Sequence, residues 1–327
     1  MGSRYGDLPE RLRTPHKHGR LLLGPSGEAG AYDSRAVDCP FVFRHEGRFC
    51  MIHVGWDGIG YRTGLASSPD LLSWRKEGLI LDRGPAGSPT EFSAHVSWVL
   101  RDNDLFGRAE LIPVDGMFLG VYQAYPAAGY EVGPGRIGLC RSGDLRYWAL
   151  EEPFLEAAEG GAWERGGLYR ACLVAHEGTY YVFYNAKDRG DGPWTEQIGV
   201  ATSRDLRHWT RHPQNPVLPA GPPGAFDDRF ASEPCVLRCG EAWVMFYFGL
   251  CSDGHARDSA AFSRDLLHWE KSNEILVDVG PPGAVDSRHA HKPSLVAHQG
   301  RLYHFYCAVA PGVEKDREIR GITVCTS

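Results

Sequence analysis

The 327-residue chain has no apolar run near the roughly 18 residues that a membrane span requires, and Met1 to Arg20 is polar and basic, without the apolar stretch of a secretory leader. A cytoplasmic protein with no membrane partner is the expectation. Positive charge is in short supply as well. The 35 Lys and Arg against 41 Asp and Glu leave a net charge of −6, which argues against a nucleic-acid or anionic-membrane surface. Nine cysteines is an odd number, and the close pair Cys235 and Cys239 has neither zinc-ligand spacing nor partner cysteines nearby. Reduced core thiols are therefore expected rather than disulfides or a metal site. Sustained helical periodicity is missing too. Short β-rich runs separated by glycine-containing turns take its place.

What is present is a repeat. Asp70-Leu71-Leu72-Ser73-Trp74, Asp144-Leu145-Arg146-Tyr147-Trp148, Asp205-Leu206-Arg207-His208-Trp209 and Asp265-Leu266-Leu267-His268-Trp269 share the pattern DLxxW, each after a short apolar run with a Ser just before the Asp. The Asp residues are spaced by 74, 61 and 60 positions, a period that marks a propeller or array. The final Ile322-Thr323-Val324-Cys325-Thr326-Ser327 matches Ile198-Gly199-Val200-Ala201-Thr202-Ser203, which gives a fifth unit. With 43% hydrophobic and 11% aromatic residues, five units of about 60 residues use nearly the whole chain without a linker. The expected fold is all-β, a five-bladed β-propeller of four-stranded antiparallel blades spanning 25–327, preceded by an N-terminal arm at 1–24.

Each unit also opens in a recognisable way. Ala31-Tyr32-Asp33-Ser34-Arg35 to Pro40 aligns without gaps with Ala225-Phe226-Asp227-Asp228-Arg229 to Pro234 and with Ala284-Val285-Asp286-Ser287-Arg288 to Pro293, while Ala162-Trp163-Glu164 to Ala171 is a degenerate copy. The recurring Asp and Trp of DLxxW suit turn capping and packing between blades. The recurring Asp33-Arg35, Asp227-Arg229 and Asp286-Arg288 suit ion pairs at the start of each unit, or arginines facing a substrate.

Chemistry is expected where the frame repeats and the residue does not. Just before the Pro or its equivalent, the five units carry Asp38-Cys39, Ala94-His95, Tyr169-Arg170, Ser232-Glu233 and His291-Lys292. In a propeller these positions lie on innermost strands and gather at one mouth of the channel, where a polar cluster makes a site. Asp38 and Glu233 are the carboxylate pair that cleavage of a glycosidic bond requires. Trp56, Asp57, Asp188 and Trp194 fall in expected loops around that mouth as further substrate-binding candidates. His289 and His291 point the same way at i, i+2 and are read as hydrogen-bonded histidines rather than metal ligands. No cofactor is required, although His291 or His95 could hold a single cation or water on the axis.

The five-unit pattern, its Ser-x-Asp-Leu-x-x-Trp ends, the Asp before Pro40 and Ser232-Glu233-Pro234 resemble the five-bladed propeller glycoside hydrolases around families 43, 32, 62, 68 and 130, over roughly residues 25 to 327. Such enzymes use a blade-one Asp as base or nucleophile, a blade-four Glu as acid and a blade-three Asp that orients substrate or tunes the acid. The resemblance implies Asp38 and Glu233 in the first two roles. This chain departs from the pattern twice: Cys39 separates Asp38 from Pro40, which in a regular strand would turn Asp38 away, and Arg170 stands where the third acid belongs. Arg170, Lys292, His291 and His95 make the expected funnel basic, so either they neutralise Asp38 and Glu233 or an anion binds there. The expected activity is exo-acting hydrolysis of a small or trimmed oligosaccharide, with a uronate sugar as one option. A phosphorylase of the same fold and a non-catalytic sugar-binding propeller are the rivals.

Overall fold

Turns with two successive positive-φ residues decide how the strands meet. Glu46-Gly47, Asp115-Gly116, Glu177-Gly178 and Gln299-Gly300 each place both residues at φ between 47° and 77°, the geometry that folds two strands into a tight hairpin. In the computed structural model, which describes residues 8–312 and 318–327, strand β1 (His16–Lys17) is followed by antiparallel runs of sequential strands. The first is β2 (Ala36–His45), β3 (Arg48–Trp56), β4 (Tyr61–Ser68) and β5 (Arg75–Leu81). The second is β6 (His95–Val99), a short β7 (Pro113–Val114), β8 (Met117–Ala124), β9 (Arg136–Ser142) and β10 (Ala149–Glu156). The third is β11 (Gly167–His176), β12 (Thr179–Lys187), β13 (Glu196–Ser203) and β14 (Thr210–Arg211). The fourth is β15 (Phe230–Cys239), β16 (Ala242–Leu250), β17 (Ala256–Ser263) and β18 (Glu270–Lys271). The last is β19 (His289–His298), β20 (Arg301–Pro311) and β21 (Glu318–Thr326).

The pairings assemble these into sheets of twelve, five and four strands, and the third, fourth and last runs are joined by short parallel contacts, Glu196 to Phe230 and Ala256 to His289. Strand β1 pairs with β21, His16 opposite Thr326 and Lys17 opposite Cys325. The segment expected as an arm thus supplies an outer strand to the last run. Burial falls from the first strand of a run to the last: the first eight residues of β2, β11 and β15 are all buried, whereas β5 and β10 are mostly not. Strands covered on both faces must be apolar almost throughout, and one core cluster reaches from Leu8 to Leu302 across the runs.

The repeated motifs are structural. Asp70 Oδ1 accepts the backbone N–H of Leu72 and Ser73 at 2.9 and 2.6 Å, and Ser68 Oγ accepts that of Leu71. Asp144, Asp205 and Asp265 repeat the arrangement. The intervening Leu sits at φ 63–68° in all four turns, a conformation that a bulky residue holds only when the turn is tied on both sides. The tryptophans reach a neighbouring run: Trp74 meets Phe305, Trp209 meets Phe154 and Trp269 meets Phe183. The acids at the start of each unit pair with the outermost strand. Asp33 binds Lys76, Asp227 binds Lys271, Asp286 binds Lys17 and, in the degenerate copy, Glu164 binds Arg211. Tyr184, Tyr247 and Tyr306 donate their hydroxyls to Glu164, Asp227 and Asp286. Lysine, not the arginine two residues on, is the partner of Asp33, Asp227 and Asp286.

Candidate active site

Three first strands break register at the same place, between Asp38 and Phe41, Ser232 and Cys235, and His291 and Ser294. The residue before each proline is left-handed there, Cys39 at φ 49°, Glu233 at 52° and Lys292 at 69°. Proline has no N–H to give the ladder, so the strand bulges, and the extra residue re-aims the side chains around it. Strand β11 breaks similarly between Leu168 and Ala171, where Tyr169 and Arg170 lie. The bulge removes the parity problem posed by Cys39. Asp38 and Cys39 both reach one cluster, and Asp38 Oδ1 accepts the Cys39 N–H at 2.8 Å.

Lys292 is the centre of that cluster. Its ammonium is 3.0 Å from Asp38 Oδ2, 2.9 Å from Glu233 Oε1 and 3.9 Å from Glu131 Oε1. Asp38 Oδ2 also accepts the Tyr130 hydroxyl and an Arg320 N–H, each at 2.9 Å. Glu233 Oε2 pairs with Arg170 at 3.0 Å, and the other arm of Arg170 donates to the Pro40 carbonyl at 2.5 Å. Cys39 Sγ lies 3.7 Å from Glu233 Oε1. Burial pushes the Asp38 carboxyl up, but Lys292 and Arg320 hold it well below the usual carboxylate range. Burial works against the charge of Lys292 in turn, and Asp38, Cys39 and Glu233 carry it well above the usual lysine range. Arg170 and Lys292, expected as candidates for an anion, are engaged by the protein's own acids.

The cluster forms part of the wall of a cavity of about 930 Å³, ample for a sugar and its neighbour. Glu233, Arg170, Lys292, Tyr169, His291 and Trp194 of the sequence candidates line it, joined by Glu131, Lys187 and Glu196. Lys187 lies 4.0 Å from the Tyr169 ring centre and 4.5 Å from that of Trp194. Glu196 accepts Asn185 Nδ2, Trp194 Nε1 and Ser232 Oγ at 3.0, 3.0 and 2.7 Å, and burial raises its carboxyl.

Asp38, His95, Asp57, Asp188 and Trp56 are not among the residues that line this cavity, whereas His289 is. Asp38 is 1% exposed, one layer behind Tyr130, Lys292 and Arg320, which line the cavity. His95 is fully buried, with no hydrogen-bond partner on either ring nitrogen, and burial, aided by Arg170 and Lys292, holds it well below the usual histidine range. Among the described residues no group of three His, Cys, Asp or Glu side chains gathers as metal ligands do. His289 and His291 are hydrogen-bonded, to the Ala256 N–H and to the Cys307 carbonyl. Asp57 is held by Arg62, Arg83 and the backbone of Ile59 and Gly60. Asp188 ties its own loop through Arg189 and the Thr195 N–H while Trp194 of that loop faces the cavity. Trp56 borders a second cavity, edge-on to Tyr61 and Tyr130.

Several contributors escaped the sequence pattern, and one signal would have found most of them. Seven residues before the Ser that precedes each DLxxW, and before the corresponding Ser327, stand Tyr61, Gly135, Glu196, Ala256 and Arg320. The frame repeats there and the residue does not. Tyr61 donates to Glu131 at 3.0 Å, Glu196 and Ala256 line the cavity, and Arg320 binds Asp38. Glu131 carries no such signal, because it lies in a loop without a counterpart in the other units.

Buried carboxylates gathered on cations beside an aromatic cavity, on a β-rich repeat scaffold, are consistent with the propeller glycoside hydrolase superfamily, in which its similarity to known proteins places the chain. Residues 109–280 match the glycosyl hydrolases family 32 N-terminal domain, and the chain belongs to that family. A solved structure described as a complex of BT0996 and RGII is 28% identical, with a TM-score of 0.83 over 96% of this chain and 92% of its own. Another, described as "Glycoside hydrolase", is 27% identical with a TM-score of 0.83 over 98% and 96%. The "Uncharacterized protein MT1551" of Mycobacterium tuberculosis (strain CDC 1551 / Oshkosh) is 27% identical over 167 residues, 48% of this chain and 53% of that protein. The chain spans about half the length of the curated relatives it matches.

Proposed function

We propose that this chain hydrolyses a glycosidic bond in a small oligosaccharide, from a five-bladed propeller whose runs of strands are the blades and whose last blade is completed by β1. The fall in burial from inner to outer strands and the equivalent bulges in β2, β15 and β19 support that architecture. The similar structure described as an RGII complex supports a sugar chain as the ligand.

The observation that carries the proposal is the gathering of Asp38, Glu131 and Glu233 on the one Lys292 ammonium, with two of them on the cavity wall. Cleavage needs one group to protonate the leaving oxygen and one carboxylate to attack or to activate water, and both must touch the substrate. Asp38 is buried with both oxygens engaged, so its part is to fix Lys292, Tyr130 and Arg320. Glu233 has two cations in contact, which suits a negative attacking group, whereas the nearest cations of Glu131 are 3.8 and 3.9 Å away and Tyr61 is its hydrogen-bond donor. We assign the attack to Glu233 and proton donation to Glu131. With one lysine 2.9 and 3.9 Å from their nearest oxygens, those oxygens are at most about 7 Å apart, which admits the separation of about 5–5.5 Å that a nucleophilic carboxylate and its acid partner need.

The test is turnover on a panel of aryl glycosides and small oligosaccharides, with the anomer of the product followed by NMR. Glu131→Gln and Glu233→Gln should each lower kcat by about 10²–10⁴-fold, the product should retain configuration, and azide should rescue Glu233→Ala as a glycosyl azide. Undiminished turnover in Glu131→Gln or Glu233→Gln would refute the assignment.

A further inference from the structure

The three D-x-R segments leave a question that hydrolysis does not answer. Their aspartates take lysines, so Arg35, Arg229 and Arg288 are released from the role of ion-pair partner within the motif. Two of them, Arg35 and Arg288, face a second cavity of about 630 Å³ whose wall also includes Trp56, Tyr130, Glu318 and Arg320. Tyr130, Glu318 and Arg320 line both cavities. The partition between the cavities therefore includes two of the side chains that hydrogen-bond Asp38.

The charges of this second cavity do not cancel. Glu318 pairs with Arg288 at 3.2 Å and with Arg320 at 2.9 Å, and Arg320 is shared with Asp38. Arg35 is exposed and has no carboxylate partner among the described residues. Its guanidinium lies against Gly58, where an added methyl would collide with it, so the position of the side chain depends on the glycine at φ 97°. Trp56 is half-buried on the same wall, held edge-on by Tyr61 and Tyr130.

We propose that the second cavity is a subsite for a sugar bearing a carboxylate, a uronic acid joined to the residue that is cleaved in the first cavity. Arg35 and Arg288 present the planar fork that matches a carboxylate with two parallel hydrogen bonds, and Trp56 offers an aromatic face for the ring. The anion sits one cavity away from Arg170 and Lys292, which serve Asp38 and Glu233. The place of this subsite beside the cleavage point rests on the proposed hydrolysis, but its binding chemistry does not.

The experiment is calorimetry or saturation-transfer NMR on the full chain with methyl galacturonide and methyl glucuronide, against methyl galactoside and methyl glucoside. The uronides should bind about tenfold or more tightly than the neutral sugars, and the difference should shrink with added salt. Arg35→Gln and Arg288→Gln should each weaken uronide binding about tenfold and leave neutral-sugar binding unchanged, whereas Glu233→Gln should keep the uronide preference. Equal binding of uronides and neutral sugars would overturn the subsite, and so would a uronide preference that survives both arginine changes. Inorganic phosphate binding more tightly than the uronides, and lost in Arg35→Gln, would overturn it in favour of a phosphate site. Loss of hydrolysis in every assay with uronide binding still dependent on Arg35 would reject the proposed function and leave the subsite standing.

Discussion

Replacing Lys292 by methionine keeps the aliphatic stem and removes the charge on which three carboxylates meet. Each contact near 3 Å is worth about 5 kcal/mol of attraction at an effective dielectric constant of about 20, set against the cost of burying the ammonium. Removal does not leave the acids bare. Asp38 keeps Arg320 and Tyr130, Glu233 keeps Arg170, and Glu131 keeps Tyr61. The expected loss is that of breaking a buried ion pair from one side, about 3–5 kcal/mol. It is read as the shift in urea midpoint, against the parent protein at the same pH. The pH dependence has a fixed sign. Asp38 is held well below its ordinary range in the fold, so its contribution is present above the unfolded carboxylate range and is lost as pH falls through the folded value. Without Lys292 that folded value moves back up, so the cost of the substitution should be largest near pH 7.5 and should shrink only as pH falls below the ordinary carboxylate range toward the folded value of Asp38. A cost under about 1 kcal/mol at pH 7.5, or one that does not change with pH, would refute the picture of a charge cluster organised by this lysine.

Two further predictions concern the scaffold. Burial holds His53 down to about 4, and His95 and His291 well below their ordinary value, so these stay neutral in the fold while the unfolded chain takes up protons near pH 6.5. Stability should therefore fall as pH drops below about 6.5, by about 1.4 kcal/mol per histidine per pH unit until the folded value is reached; urea midpoints that stay flat from pH 7.5 to 5 would contradict this. Asp227→Asn strands Lys271 and weakens the Tyr247 hydrogen bond at the start of the fourth run. With the lysine side chain 23% exposed, the expected cost is about 2–3 kcal/mol in urea unfolding, and a change below about 0.5 kcal/mol would remove this contact from the account of how the runs are pinned.

The scaffold was legible because its motifs are local. DLxxW specifies its own turn through one carboxylate and one hydroxyl, and the tight turns at Glu46-Gly47 and Gln299-Gly300 need only two residues to set φ. Even the degenerate third opening was readable, since Glu164 takes the place of Asp and finds Tyr184 and Arg211 where its counterparts find tyrosine and lysine. The role of β1 was not legible: His16-Lys17 has no pattern of its own, and its pairing with Thr326 and Cys325 is made over the full length of the chain. The partner of the unit-opening acids was misjudged for the same reason. Arg35 is two residues from Asp33 and Lys76 is more than forty away, yet only the lysine is brought to it by the sheet.

The site was half legible, and its charge explains which half. Asp38, Glu233 and Lys292 stand at bulges that a proline marks in the sequence and Arg170 at the aligned place of the degenerate copy, while Arg320 arrives from a third strand marked only by its distance from the repeated Ser and Glu131 from a loop with no mark at all. Taken together, the cluster holds three carboxylates, Asp38, Glu131 and Glu233, against three cations, Arg170, Lys292 and Arg320. The two departures that the sequence shows are then one adjustment. An acid at position 170 and another at 39 would place five carboxylates against two cations in a buried pocket, a charge that the fold could not keep ionised. Cys39 and Arg170 remove that excess, and of the three carboxylates held by Lys292 the two at the cavity surface are Glu233 and Glu131, which the repeat cannot announce.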